Sequence, residues 1–146
     1  MLFRSFNIFG TYSAGILGQR FPKKYLLSGI YLGRSIAIIG FLVLPLTPMT
    51  TYIFAAVMGF LWLSTIPLTN GIVAQIFGVK YLTMLSGLVF FSHQLGSFCG
   101  AFFGGYLFDR TGSYLIVWDI AIALGIFAFL VNLPVKERAL ARVANA

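Results

Sequence analysis

Residues 81–108 run for 28 positions without a single Asp, Glu, Lys or Arg. At about 1.5 Å of rise per residue, a helix of that length covers roughly 42 Å, the hydrocarbon core of a bilayer plus most of its headgroup layers. A buried helix in a soluble domain is seldom so long, so this one segment directs the chain into lipid. Composition agrees: of 146 residues, 60% are hydrophobic and 9% charged, and the mean hydropathy of +0.96 leaves too little polar surface for water. The net charge of +7 raises the question of nucleic acid. Phosphate-binding cations line a solvated face, whereas these lie between long apolar runs, which excludes that class.

A spanning helix needs roughly 20 mostly apolar residues. The chain supplies five such runs, at about residues 2–19, 25–46, 51–77, 81–108 and 114–133, followed by a polar tail at 134–146. Each gap holds a charge, Gly or Pro where a helix stops: "RFPKK", "PLTPMT", "GVK" and "DRTGS". The gaps are short, so neighbouring helices run antiparallel. Arg4, Asn7, Thr11 and Ser13 dilute the first run, but no small-residue cleavage site ends it, and it reads as a span rather than a signal peptide. Counting cations on alternating sides puts Arg20, Lys23, Lys24, Lys80, Lys136, Arg138 and Arg142 on one side and only Arg4 and Arg110 on the other. The rich side is the cytoplasmic one, which makes the tail cytoplasmic and the protein a multi-pass resident of the plasma (inner) membrane.

Two segments ninety residues apart share the pattern G-x-L-x-[QD]-R: Gly15, Leu17, Gln19, Arg20 and Gly105, Leu107, Asp109, Arg110. Each closes an apolar run and opens a loop. Three helices separate them, so they face opposite sides, which is the inverted-repeat principle of many secondary transporters. Together with Lys23 and Lys24, the first copy, "GILGQRFPKK", resembles the G-x-L-x-D-R-x-G-R-R signature of the major facilitator superfamily. "GGYLFDRTGSY", with Asp109, Arg110, Gly112 and Tyr114, resembles the segment after helix 11 in monocarboxylate-transporter-like members. The resemblance implies an all-α membrane fold in which the five runs correspond to helices 8 to 12 of a twelve-helix transporter, with an N-terminal half missing. Gln19 and Pro22 depart from the signature, which has an acid and a Gly at those places.

A polar group in hydrocarbon is costly and therefore informative. Arg34 lies about nine residues, roughly 14 Å, into its run, near the midplane. Two readings stand for it: a bidentate grip on a substrate carboxylate, or a structural pairing with backbone carbonyls or another helix. His93, Gln94 and Ser97 lie in the middle of the fourth run, and the resembled family places that helix beside the substrate cavity. Proton coupling and a plain interhelical hydrogen bond are both open for His93. Ser64, Thr65, Thr69, Asn70 and Gln75 surround Pro67, and a proline there bends the helix and frees a carbonyl. Thr65, Thr69 and Asn70 are thus cavity candidates. Asp119 lies near the outer end of the last run, within reach of interfacial water or Arg110. Ser92, Gly96, Gly100 and Gly104, and likewise Gly29, Gly33 and Ala37, form small-residue seams for close helix packing.

Three acids, one His and the lone Cys99 provide no metal-ligand spacing, no nucleophile triad and no phosphate-binding glycine loop. Neither a cofactor nor a metal is expected, and an enzyme is not. The expected partners are the lipid bilayer, a small-molecule substrate and the missing N-terminal half. The expected function is secondary transport of a small solute, with Arg34 and the resemblance pointing to an organic anion such as a monocarboxylate. The alternative is a non-transporting interaction subunit or truncated remnant.

Overall fold

The computed structural model describes residues 2–140; Met1 and residues 141–146, with Arg142 and the end of the polar tail, lie outside the described residues. The chain folds into α1 (Leu2–Arg20), α2 (Lys23–Val43), α3 (Pro48–Trp62), α4 (Thr65–Phe77), a 3₁₀ turn (Val79–Tyr81), α5 (Leu82–Thr111) and α6 (Leu115–Asn132). It is all-α, as the sequence implies. Counting Pro48–Phe77 as one span, four segments are long and apolar enough to cross a bilayer. The fifth, α1, is the one diluted by Arg4, Asn7, Thr11 and Ser13.

Local chemistry explains the helix ends. Pro22 has no amide hydrogen and separates α1 from α2 after a last bond from Phe21 N to Leu17 O. Leu44 is extended, with ψ at 149°, because Pro45 follows it. Thr47 and Thr50 form a reciprocal capping box at the start of α3, with Pro48 in the first turn. Gly112 ends α5 in the left-handed region at φ +67°, where its amide reaches Phe108 O at 2.7 Å.

The span read from sequence as one run over residues 51–77 is two helices. The break falls at Leu63 and Ser64, four residues before Pro67 and not at it. Proline in a helix leaves the carbonyl four residues earlier without a donor and crowds it, and that carbonyl belongs to Leu63. Pro67 itself sits within the first turn of α4, where a missing amide hydrogen costs nothing.

Packing rests on backbone contact. Where α1 crosses α3, a Cβ placed on Gly10 would sit 1.8 Å from Phe60 O, and one on Gly59 would sit 2.5 Å from Phe3 O. Between α2 and α6, buried Ser35 donates to Ile122 O at 3.2 Å beside Gly125. Ala14, Leu27, Ile30 and Leu68 form the buried cluster joining α1, α2 and α4. The seam expected on α5 is open among the described residues: nothing there lies within 4 Å of a Cβ on Gly96 or Gly100, and Gly104 meets only Val117 at 3.9 Å. Of the second seam's two glycines, a Cβ on Gly33 would meet Leu61 at 3.3 Å, whereas among the described residues one on Gly29 would meet nothing within 4 Å.

Elsewhere α5 is exposed along nearly its whole length. Phe90 and Phe98 are 63% and 67% exposed, and Phe127 on α6 is 64% exposed. Large apolar side chains arrayed in this way would aggregate in water, whereas in lipid they are solvated.

Candidate functional site

Polar side chains from α1, from α2 and from the break itself converge on the α3–α4 break. It lies near the middle of the Pro48–Phe77 span, about 22 Å along α3, and therefore near mid-depth in a membrane. An unbroken helix would bond the carbonyls of Leu61 and Trp62 to the amides of Thr65 and Ile66, while Pro67 offers the Leu63 carbonyl no amide hydrogen. Here Arg34, midway along α2, donates from Nη2 to Leu61 O at 2.6 Å and also to Trp62 O. Ile66 N turns back to Leu63 O at 3.1 Å. Asn7 of α1 accepts the Leu63 amide on its side-chain oxygen at 3.1 Å, and Ser64 Oγ donates to Phe60 O. The freed backbone groups are thus taken up by side chains, as hydrocarbon requires.

The guanidinium is held on its faces as well. Its central carbon lies 5.5 Å from both the Tyr31 and Trp62 ring centres, within cation–π range. Its Nε is buried without a hydrogen-bond partner among the described residues. Below the break, Thr65 begins α4, Thr69 follows one turn later, and Asn70 accepts from Ser86 Oγ of α5 at 3.0 Å. A small apolar cleft lined by Gly10, Ala14, Ile30, Phe60, Ser64 and Leu68 lies between α1, α2 and the break, with room for about 80 Å³.

A second polar cluster ties one end of the bundle together. The carboxylate of Glu137 accepts the Lys24 backbone amide, capping α2, whose own N-cap residue Pro22 offers no side chain for the purpose. In return Lys24 Nζ reaches Leu133 O at the end of α6, at 3.1 Å. Lys23 Nζ donates to Gln75 Oε1 at 2.9 Å, and the Gln75 amide donates to Glu137 O at 2.8 Å. Leu140 N closes the last turn of α4 through Ile76 O at 3.0 Å. Segment 133–140 therefore straps three helix ends, and it does so beside Lys23 and Lys24 of the first motif copy. Gly15 and Leu17 lie one turn back in α1, with Gln19 and Arg20 exposed at its end.

The second copy ends α5. Asp109 and Arg110 are exposed, Arg110 lies 5.3 Å over the Tyr106 ring, and Tyr114 stacks on Phe108 at 4.4 Å. Asp119 makes no ion pair with Arg110 among the described residues. His93, Gln94 and Ser97 all lie on the exposed stretch of α5. Ser97 Oγ bonds back to His93 O at 3.0 Å, and the nearest ring to His93 is Phe90, 6.4 Å away. They do not join the cluster at the break.

Sequence reasoning gave Asn7 no role beyond diluting the first run, and Glu137 none. Both carried a signal: Asn7 is an amide inside an apolar run, and Glu137 is the one acid on the cation-rich side. The partners of both are backbone atoms, which residue patterns do not name.

The family model described as Major Facilitator Superfamily matches residues 2–146. Comparison with curated proteins and with solved structures gave no match.

Proposed function

The chain belongs to the major facilitator superfamily, and from that premise we propose that it moves a small solute across the membrane by alternating access. The observation that carries this reading is the mid-depth break between α3 and α4. Discontinuous helices with liberated backbone groups are where secondary transporters bind their cargo. Thr65, Thr69 and Asn70 follow the break on α4 and supply hydroxyl and amide groups to one wall of the cavity. His93, Gln94 and Ser97, exposed on α5, face the same compartment in this reading.

The cargo is a small organic anion, of monocarboxylate type. Arg34 contributes a mid-depth positive charge with no acid beside it, and the motif around Asp109, Gly112 and Tyr114 resembles that of the monocarboxylate-like branch. In the twelve-helix arrangement implied by both motif copies, the five spans take the places of helices 8 to 12, and an N-terminal half supplies the opposite wall. The cation-rich end faces the cytoplasm of the plasma (inner) membrane, as the excess of Lys and Arg favours.

The test is uptake of labelled lactate, pyruvate and acetate into proteoliposomes carrying the chain, alone and together with an N-terminal family half, with and without a pH gradient. Saturable uptake lost on replacing Asn70 by Leu is expected. Uptake of neutral solutes in place of all three anions would overturn the anion reading, and no flux of any solute in either preparation would overturn transport.

A further inference from the structure

We infer that Arg34 and Asn7 are positioning residues which clamp the α3–α4 break open, so that α4 meets α3 at one defined angle. This inference rests on the proposed transport reading for its purpose but not for its geometry.

Pro67 alone accounts for one missing bond, that of the Leu63 carbonyl. A single proline commonly leaves a helix kinked but continuous, with the neighbouring bonds intact. Here the disturbance is wider. Trp62 O, whose helical partner would be Ile66 N, bonds Arg34, while Ile66 N has turned to Leu63 O. Leu61 O also bonds Arg34, and the Leu63 amide points sideways to Asn7. Two helices packed beside the break thus contribute one side chain each: α2 an acid-free cation for carbonyls, α1 an amide oxygen for an N–H. The donor types are complementary to the groups set free, and neither side chain can be exchanged for the other.

The charge matters as well as the hydrogen bonds. A guanidinium near mid-depth is expensive unless its environment compensates it. Two carbonyls from the C-terminal end of α3, where the helix dipole is negative, and the faces of Tyr31 and Trp62 provide that compensation. The cation and the break therefore stabilise each other. Healing the helix would withdraw the carbonyls and leave Arg34 uncompensated in hydrocarbon. The clamp in this way ties the bend of α3–α4 to the position of α2.

The test uses the full chain in lipid nanodiscs, with Cys99→Ser and spin labels at Met49→Cys and Val79→Cys, two exposed positions flanking the α3–α4 span. Pulsed dipolar spectroscopy then reads the bend as a distance distribution. The parent gives one narrow distribution. Arg34→Met shifts or broadens it, and Arg34→Lys, which restores a cationic donor, brings it back toward the parent. Asn7→Ala is the milder second variant and raises amide exchange at Leu63 about tenfold, the loss of one hydrogen bond, without altering exchange in α6. A distribution unchanged in Arg34→Met together with unchanged Leu63 exchange in Asn7→Ala overturns the clamp. So does an equal disturbance by Arg34→Met and Arg34→Lys. None of these readouts needs a substrate, so absence of flux defeats the transport reading and leaves the clamp standing, while a rigid break in the variants does the reverse.

Discussion

At the scale of single residues, the crossing of α1 over α3 depends on two missing side chains. Gly10 and Gly59 let one backbone touch the other, and no rearrangement of flexible atoms relieves a Cβ that meets a carbonyl. Replacing Gly10 by Ala is expected to destabilise the fold by about 1–3 kcal/mol, the usual cost of overpacking. Gly96→Ala, which meets nothing within 4 Å, should be neutral or slightly stabilising. Reversible unfolding of both variants by SDS in mixed micelles measures the difference, and equal stabilities would contradict the close crossing. The sequence analysis named neither Gly10 nor Gly59, although Gly10 opens a four-residue ladder with Ala14 and Gly18, the three buried residues of α1. The ladder that did stand out, on α5, meets almost no neighbour among the described residues. Small-residue spacing says that a helix can be approached closely, and only the tertiary arrangement says by what. Arg34 shows the same division. Its depth and cost were plain from its place in an apolar run, but its partners are carbonyls on another helix, and every residue type carries a carbonyl.

At the scale of elements, helix ends were easier to read than the helix break. Pro22, Pro45, Pro48 and Gly112 act through their own backbone geometry and mark ends wherever they stand. Pro67 does not mark the break directly, because the steric conflict reaches back to Leu63, and how far the helix opens is decided by Arg34 and Asn7. The strap formed by residues 133–140 is likewise tertiary. Glu137 is 113 residues from the amide it caps. Since α2 has no side-chain cap of its own, Glu137→Ala should cost about 1 kcal/mol, within the range for losing an N-cap. It should also raise amide exchange in the first turn of α2, read by mass spectrometry. A variant with unaltered exchange there would show that the carboxylate does not serve as the cap. The Gln75 amide bonds the backbone carbonyl of residue 137, which this variant keeps, so exchange at the end of α4 should change less than in α2.

At the scale of the whole molecule, the strap gathers Lys23, Lys24, Lys136 and Arg138 at one end of the bundle, and Arg110 lies at the far end of α5. In a Cys99→Ser background, Lys80→Cys and Arg138→Cys should react with an impermeant maleimide from the same face of sealed vesicles, and Thr111→Cys from the opposite face. Labelling of Lys80→Cys and Thr111→Cys from one face would break the topology. What the sequence determined unaided is the solvent and the class: long charge-free runs admit only lipid and only helices, because backbone polar groups in hydrocarbon must pair within their own segment. Its cation count bears equally on which end stays in the cytoplasm. Which helices touch, where the long span opens and what holds it open were decided by the tertiary structure. Those contacts run from side chains to backbone atoms, or from backbone to backbone across glycine, and a carbonyl or an absent Cβ looks alike at every position until the fold brings a particular pair together.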